Sequence, residues 1–362
     1  MLDFTSALYL GIRHPSRSLR PWTQLTTGKP AVLAEPTLVR MVAQDLAKLT
    51  GCEHAMLAPS TLHLFWDLLG LLSRERIAVY LETGSYPIAC WGVERAAGRG
   101  VPVRLFPPHH ADALQKMIKR DASKGLRPIV VSDSFSPVMG RGVPIALYLD
   151  LIDRYEGYFL MDDTQAFGIL GRHASAVMPY GYGGGGMLCW AGVKSERVVI
   201  VSSLAKGFGI PVAVLAGSET MVRRFEKQSE TRTHCSPPST AVVHAAEHAL
   251  AVNAEHGDKL RMRLLQRVKH FRSVLTLRGI TPSGAIFPVQ TLTLPFARDA
   301  KNLHARLLRL GVRVVPHRNR FGGGAHISFL LTTLHTYRDI DLAVEALTYA
   351  AHPMEVNYEA KI

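Results

Sequence analysis

The sequence predicts an α/β fold in which a mostly parallel sheet is covered by helices on both faces, followed by a smaller α+β unit. Continuous runs of Val, Ile and Leu, rather than alternating apolar and polar residues, indicate strands that are buried on both faces. Stretches with helical periodicity separate these runs. The pattern changes from about residue 239. With 362 residues, the chain is long enough for one large domain and one smaller domain.

The predicted elements alternate along the first two thirds of the chain. Strands are predicted at 76–82, 102–106, 127–134, 157–163, 197–204 and 212–218. Helices are predicted at 38–49, 61–72, 111–123, 144–155 and 218–229. A long helical segment at 239–276 precedes three apolar runs and two further helices, at 299–310 and 337–351. We therefore expect an N-terminal arm (1–30), a large domain (31–245) and a small C-terminal domain (246–362).

The composition limits the classes of partner that we expect for the protein. The net charge of +13 is spread along the chain, with mild clusters at 261–272 and 309–320. A basic surface suits nucleic acid, and equally an acidic partner such as a phosphate-rich thioester or a carrier protein. The chain has no recognised nucleic-acid motif and no aromatic residues interleaved with the charges, so we expect no nucleic-acid partner.

The sequence predicts a cytoplasmic protein without a membrane span or a metal site. No apolar run reaches the roughly 18–20 residues that a span needs. The N-terminal stretch "MLDFTSALYLGIRHP" lacks the pattern of a signal peptide. None of the 16 histidines forms an HExxH pattern. Reduced thiols are expected because no CxxC pair occurs among the four cysteines, Cys52, Cys90, Cys189 and Cys235.

The glycine-rich stretch "GYGGGG" at 181–186 is the one compositionally biased segment. It neither follows a predicted strand nor opens a helix at the spacing that a nucleotide-binding loop requires. A mobile surface connection is the favoured interpretation.

Three polar sites fall where ligands bind in open α/β sheets. Asp162 ends a predicted strand in "FLMDDTQAFGILG", and Lys206 follows another in "VVIVSSLAKGFG". Ser60 and Thr61 begin a predicted helix. Such sheets bind ligands outside the carboxyl ends of their strands, and helix N-termini offer N–H groups to phosphate.

A lysine, an acid and a phosphate cradle are the groups that pyridoxal phosphate requires. Taken singly, Asp162 is a turn cap, Lys206 a solvated loop charge, and Ser60–Thr61 a helix N-cap. The order and separation of the three sites along the chain favour the cofactor over these separate interpretations.

Five segments carry a resemblance to a known family. They are "LDFTSALYLGIRHP", which is similar to the family's "NFSSNDYLGL", and "SDSFSPVMGRGVPI", "LDLIDRYEGYFLMDDTQAFGILG", "SSLAKGFG" and "FLLTTLHTYRDIDLAVEAL". With them the chain resembles the α-oxoamine synthases, pyridoxal-phosphate enzymes of fold-type I, the aspartate-aminotransferase-like fold. The group includes 8-amino-7-oxononanoate synthase, 2-amino-3-ketobutyrate CoA ligase, 5-aminolevulinate synthase and serine palmitoyltransferase. The resemblance covers nearly the whole chain.

The resemblance implies roles for residues around the cofactor ring. Lys206 would form the internal aldimine and later move protons at the substrate α-carbon. Asp162 would pair with the pyridine nitrogen. Gln165 stands where the family usually has a histidine that bonds the phenolic oxygen. Tyr86 stands where the family has a histidine stacked on the ring, and a tyrosine can also stack.

The resemblance also implies phosphate contacts and an oligomeric state. Ser60, Thr61 and Ser203 would contact the phosphate. Ser236, in "THCSPPST", matches a segment that reaches the phosphate from the neighbouring subunit. A homodimer with active sites at the subunit interface is therefore expected.

The chain departs from the family where the substrate binds. Ala7 replaces an asparagine of the family's opening segment. His326 and Ser328 lie near the position of an arginine that grips the substrate carboxylate, and serine cannot replace an Arg–carboxylate fork. A substitute could come from three arginines that are by default solvated loop charges: Arg141, Arg318 and Arg320.

The leading hypothesis from the resemblance is a pyridoxal-phosphate-dependent acyltransferase. It would condense an amino acid with an acyl-CoA or acyl-carrier-protein thioester, through the Lys206 aldimine and a quinonoid carbanion, with loss of CO2. The alternative is an aminotransferase acting on an amine or aldehyde without an α-carboxylate, which the missing arginine would explain. A third hypothesis is a non-enzymatic binding protein; the presence of Lys206 and Asp162 argues against it.

Overall fold

A computed structural model describes residues 1–137, 139–281, 284–294, 297–318 and 325–351. Contacts divide the chain into two compact units. The larger unit comprises Leu8–Ser136 and Arg141–Met262, and the smaller comprises Met1–Ala7, Pro137–Gly140 and Arg263–Ile362. No helix in the described ranges has the length and apolarity to cross a membrane.

The secondary structure follows an alternating order through most of the chain. The strands are β1 (Leu2–Asp3), β2 (His54–Ala58), β3 (Ile77–Glu82), β4 (Val103–Phe106), β5 (Arg127–Asp133), β6 (Phe135–Ser136), β7 (Arg141–Gly142), β8 (Tyr158–Asp162), β9 (Val198–Ser203), β10 (Ala213–Gly217), β11 (Val289–Leu294), β12 (Val312–Arg313), β13 (Val315–Arg318) and β14 (Ala325–Leu330). The α-helices are α1 (Thr37–Thr50), α2 (Thr61–Leu72), α3 (Pro87–Gly98), α4 (Ala111–Ala122), α5 (Ile145–Asp153), α6 (Met187–Ala191), α7 (Glu219–Gln228), α8 (Glu230–His234), α9 (Thr240–Leu277), α10 (Ala297–Arg309) and α11 (Tyr337–Ala351).

The larger unit is built on a seven-stranded sheet with the order β2-β10-β9-β8-β5-β3-β4. Strands β4, β3, β5, β8 and β9 run parallel to one another. Strand β10 runs antiparallel to both β9 and β2. The predicted mostly parallel α/β sheet is therefore confirmed, and each of the six predicted strands forms within a residue or two of its expected bounds.

Helices cover both faces of this sheet, because its central strands carry apolar side chains on both sides. On one face Leu68 of α2 and Phe225 of α7 belong to the same buried cluster as Val199 of β9. On the other face the ring of Tyr148 in α5 makes edge contacts with Phe106 and Phe159, at centroid distances of 5.8 and 5.7 Å. Packing on both faces therefore holds the sheet in place, including the carboxyl ends of its parallel strands.

The glycine-rich stretch packs inside the larger unit. Gly184, Gly185 and Gly186 are buried, and α6 begins directly after them. A Cβ at Gly185 would overlap the carbonyl oxygen of Leu49, and one at Gly186 would overlap the carboxylate of Asp163. The mobile surface connection predicted for this run is wrong: the glycines allow backbone to approach backbone and a buried acid.

The smaller unit contains a three-stranded antiparallel sheet with the order β11-β14-β13 and a two-stranded parallel pair, β1 and β12. Its core combines Ile327 and Phe329 of β14 with Leu307 of α10 and Val344 of α11. The division between the units falls at Met262/Arg263, inside α9. The domain limits expected from the sequence, 31–245 and 246–362, stay a prediction.

Candidate active site

The carboxyl edge of the large sheet gathers acidic side chains around one lysine. Strands β5 and β8 end at Asp133 and Asp162, which are directly paired in the parallel register. Strand β3 ends at Glu82, and Lys206 follows β9 by three residues. All four strands point the same way, so their ends meet at one edge of the sheet.

Lys206 lies in a tightly packed loop. Its side chain is half-buried, and the next residue, Gly207, leaves no room for a Cβ against the carbonyl oxygen of Phe167. Gly209 adopts a φ of +72°, a conformation that favours glycine. Burial lowers the pKa of the Lys206 amine, and the charges of Asp162 and Asp133 partly oppose this change. The amine therefore loses its proton more readily than a solvated lysine does.

Asp162 and Asp133 are carboxyl groups whose pKa values are both raised by burial. The Asp162 carboxylate accepts the Thr164 N–H at 2.9 Å. Burial raises the pKa of Asp162, against the opposing effects of Thr164 and of the Lys206 charge. Burial, followed by the charge of Asp162, raises the pKa of Asp133 to about 7. Two carboxyl groups at this edge therefore share one ammonium as their cation.

Tyr86 stands over the lysine at the start of α3. Its backbone N–H donates to a carboxylate oxygen of Asp133 at 3.1 Å. The centroid of its ring lies 5.8 Å from the Lys206 Nζ. Because 52% of the tyrosine is exposed, its ring has surface free for a planar partner.

Gln165 is held by a tyrosine that the sequence reasoning did not single out. The fully buried Tyr9 donates its hydroxyl to Gln165 Oε1 at 2.9 Å. Burial raises the pKa of Tyr9, which keeps the hydroxyl protonated as a donor. Tyr9 lies in the segment "SALYLGI", where it matches the tyrosine of the family's "NFSSNDYLGL", and that match was the available signal.

Ser60 and Thr61 stand at the N-terminus of α2, as predicted. Ser60 occupies the N-cap position, yet its side chain makes no capping hydrogen bond. Its hydroxyl instead pairs with His63 Nδ1 at 2.8 Å. The N–H groups of the first turn of α2 are thus not occupied by the serine that most helices would use there.

Two further serines were predicted to contact phosphate. Ser203 accepts the Ala205 N–H on its hydroxyl at 3.2 Å, and its own N–H donates to Thr164 at 3.0 Å. Ser236 is exposed and lines a small cavity with Pro59 and His63 of its own chain. Its predicted reach into a neighbouring subunit stays a prediction.

The residues predicted to contact substrate belong to the smaller unit. The Ser328 hydroxyl is hydrogen-bonded to the Thr291 hydroxyl at 2.8 Å and to His317 Nε2 at 2.7 Å. His326 is buried beside His317, with ring centroids 5.7 Å apart, and burial lowers its pKa. Ala7 ends the first segment of this unit. The sequence reasoning did not identify Thr291 or His317.

The three arginines considered as substitutes are placed unequally. Arg141 lies in β7 and is exposed. Arg320 and the side chain of Arg318 lie outside the described residues.

Sequence reasoning also missed the other acids at the sheet edge. Glu82 is buried and accepts three hydrogen bonds, from the Ser132 hydroxyl, the Tyr148 hydroxyl and the His109 N–H, at 2.7, 2.7 and 2.8 Å. An acid at the end of each of three predicted strands, in "YLE", "VSD" and "MDD", was the available signal.

Within the described ranges, no three His, Cys, Asp or Glu residues form a group that could hold a metal ion.

The comparison with protein families identifies the class. Residues 93–347 match the family described as aminotransferase class I and II. The chain belongs to this family.

Among curated proteins, the chain is similar to 8-amino-7-oxononanoate synthases. That of Cupriavidus taiwanensis is 28% identical over 270 residues, which cover 70% of this chain and 61% of that protein. That of Methylobacillus flagellatus is 25% identical over 349 residues, which cover 94% of this chain and 77% of that protein. The match therefore spans about three fifths of the length of the Cupriavidus taiwanensis protein.

Solved structures show the same fold. A variant serine palmitoyltransferase from S. paucimobilis with PLP and myriocin bound gives a TM-score of 0.83 at 15% identity, covering 96% of this chain and 86% of that chain. The 8-amino-7-oxononanoate synthase from Francisella tularensis gives 0.74 at 17% identity, covering 96% and 97%. The fold-type I assignment is confirmed.

Proposed function

We propose that this chain is a pyridoxal-phosphate-dependent acyltransferase that joins an amino acid to an acyl thioester through a new carbon–carbon bond, with loss of CO2. The observation that carries the proposal is the amine of Lys206 beside Asp162 and below Tyr86, at the carboxyl edge of the sheet. The similarity to 8-amino-7-oxononanoate synthases supports an acyltransferase among the activities of the family.

The groups at this edge fit pyridoxal phosphate. Lys206 would hold the aldehyde carbon, Asp162 the ring nitrogen, Gln165 the phenolic oxygen and Tyr86 one face of the ring. The phosphate would be held by Ser203 and by the start of α2, at Ser60 and Thr61. Three structural features support this fit: an exposed aromatic ring, a buried carboxylate, and a helix N-terminus without side-chain capping. Bound there, the cofactor supplies an electron sink for the bond electrons at the amino-acid α-carbon.

Three residues have separate tasks in the proposed reaction. Lys206, with its lowered pKa, can take a proton from the α-carbon and return it. Asp162, ionised, holds a protonated ring nitrogen through a charge-assisted hydrogen bond. Tyr86 covers one side of the reacting centre and excludes water there.

Substrate recognition is proposed to use neutral side chains. His326 and Ser328 would contact the polar end of the amino substrate, while Ala7 contributes no polar group. The net charge of +13 would attract coenzyme A or an acyl-carrier protein, both of which are acidic.

We further propose a cytoplasmic homodimer in which Ser236 reaches the phosphate of the partner subunit. The four cysteines are free, which suits a reducing compartment. Exposed apolar side chains on α2 and α3 support self-association; Trp66 and Trp91 are 42% and 46% exposed.

The dimer proposal can be tested by complementation. Ser236→Asp places a carboxylate where phosphate should bind, and Lys206→Ala removes the amine. Each variant alone should be inactive. Co-expressed, they should regain activity only if Ser236 serves the partner's site, because the hybrid dimer then holds one intact site. No regain in verified hybrids would contradict a shared site.

The activity is tested by supplying purified protein with pyridoxal phosphate, a panel of amino acids and a panel of acyl-CoAs. We expect release of free thiol that needs both substrates and is abolished in Lys206→Ala. Absence of release with every pair would contradict an acyltransferase. Conversion of the cofactor to pyridoxamine phosphate without a thioester would instead support the aminotransferase.

A further inference from the structure

Asp133 is an acid at this edge to which no role has yet been given. Its Cα is directly paired with that of Asp162 across neighbouring parallel strands. Paired residues of adjacent parallel strands project from the same face of a sheet, with backbones about 4.8 Å apart. Asp133 therefore stands beside Asp162 and on the same side of the sheet.

The turn between β3 and α3 depends on Asp133. This turn, residues 83–86, passes through Gly84 at a φ of +89° and is closed by the Ser85 hydroxyl, which donates to the Glu82 carbonyl oxygen at 2.8 Å. Its last residue, Tyr86, donates its N–H to Asp133 at 3.1 Å. That bond joins the turn to β5. It therefore fixes the position of the Tyr86 backbone, from which the ring projects.

The other acids near this point have different partners. Glu82 is occupied by Ser132, Tyr148 and His109. Asp163 accepts the Met187 N–H at 3.2 Å. Asp162 accepts the Thr164 N–H. Asp133 is thus the acid that contacts the backbone of Tyr86.

We propose that Asp133 is a positioning residue of the site: its carboxylate anchors the backbone of Tyr86, so that the ring stands over the Lys206 amine, and adds a negative charge beside that amine. The proposal deepens the proposed function and rests on it for its catalytic meaning. Its structural content concerns only Asp133, Tyr86 and Lys206, and can be measured without substrate.

The charges around Asp133 agree with this role. Burial raises the pKa of Asp133, and the like charges of Asp162 and Glu82 raise it further, whereas the Tyr86 N–H and the Lys206 charge lower it. In return, the charge of Asp133 raises the pKa of Lys206. At a pH above 7, where Asp133 is ionised, removing that charge should lower the pKa of the amine and make it more reactive.

Two substitutions separate anchoring from charge. Asp133→Asn removes the charge but keeps an oxygen that can accept the Tyr86 N–H. Asp133→Ala removes both. Asp163→Asn is the matched control, because Asp163 is a buried neighbouring acid whose carboxylate binds Met187 instead. Thermal unfolding of all three full-length variants verifies that they fold.

The first readout is hydrogen exchange at the Tyr86 amide, resolved to the residue by mass spectrometry. We expect exchange at least tenfold faster in Asp133→Ala than in the wild type, because the tyrosine is exposed and loses its acceptor. Asp133→Asn and Asp163→Asn should stay within about threefold of the wild type. Equal exchange in wild type and Asp133→Ala would overturn the anchoring role.

The second readout is the pH dependence of Lys206 acylation by an amine-reactive ester in protein freed of pyridoxal phosphate, followed by peptide mass spectrometry. Both Asp133 variants should react several-fold to about tenfold faster at pH 8, where Asp133, whose pKa is about 7, is ionised in the wild type. Asp163→Asn should match the wild type. Unchanged Lys206 reactivity in both Asp133 variants would overturn the electrostatic role.

The proposed function fails separately from this inference. If wild-type protein takes up no pyridoxal phosphate while the exchange and acylation patterns hold, the cofactor proposal is wrong and the positioning role stands. If the cofactor binds and both patterns are absent, the positioning role is wrong.

Discussion

Asp162→Asn should reduce activity strongly without unfolding the protein. The asparagine fits the same space and its oxygen can still accept the Thr164 N–H, which Asp162 accepts at 2.9 Å. What is lost is the negative charge that would hold a protonated ring nitrogen.

The magnitude follows from the burial of Asp162, which is 6% exposed and therefore little screened by solvent. A buried opposite charge shifts a partner's pKa by about 1–3 units, and each unit is worth about 1.4 kcal/mol. A loss of about 3 kcal/mol corresponds to a fall in kcat/KM of about 100-fold.

Stability should change in the opposite sense. Burial raises the pKa of Asp162, so the folded state binds a proton more tightly than the unfolded state does, and stability is lost as pH rises above the unfolded pKa. Asp162→Asn has no such carboxyl group, so it should not lose this stability at pH 8.

Thiol release measures the activity, and urea unfolding at pH 8 measures the stability. Asp162→Asn should be about 100-fold less active and at least as stable as the wild type. Activity within threefold of the wild type would refute the role of the charge. A loss of activity that follows a loss of stability would refute the reasoning about burial.

Three further outcomes are expected. Tyr86→Phe should bind pyridoxal phosphate as the wild type does, whereas Tyr86→Ala should bind it about 5- to 10-fold more weakly in a spectral titration, because about 1 kcal/mol of ring contact is lost. Asp67→Ala should lower the free energy of unfolding in urea by about 3–5 kcal/mol, because the buried carboxylate of Asp67 accepts bonds from Ser229 and Thr231 and pairs with Arg95; a loss under 1 kcal/mol would contradict that network. Burial raises the pKa of Asp163 to about 7, so the wild type loses stability as pH rises from 4 to 8. Asp163→Asn should therefore gain up to roughly 4 kcal/mol of unfolding free energy relative to the wild type over that range. A pH-independent difference in urea unfolding would contradict the raised pKa.

The sequence predicts the centre of the large sheet well because burial on both faces leaves a direct pattern. Every residue of β3 is buried, and β9 is buried up to Ser203. Two elements escape such a pattern. Strand β2, "HAMLA", contains no β-branched residue. Helix α3 contains Gly92, and glycine disfavours a helix. A Cβ at Gly92 would lie 2.8 Å from the Phe65 carbonyl oxygen, so the glycine allows α3 to approach α2 closely. That close approach of α3 to α2 is tertiary information.

The site is predicted in part for the same reason. Lys206 and Asp162 are recognisable because each follows an apolar strand. Asp133 also follows one, but its relevance depends on register: it is paired with Asp162 and faces Tyr86. The buried position of "GYGGGG" likewise depends on distant residues that meet it only in the folded chain.

The central claim is that Lys206 holds pyridoxal phosphate covalently. Borohydride reduction of the full chain with pyridoxal phosphate, followed by peptide mass spectrometry, tests it most directly. We expect a pyridoxyl group on Lys206, and no stoichiometric label elsewhere. Lys206→Arg should take up no stoichiometric label. Labelling spread over surface lysines, with none on Lys206, would contradict the account.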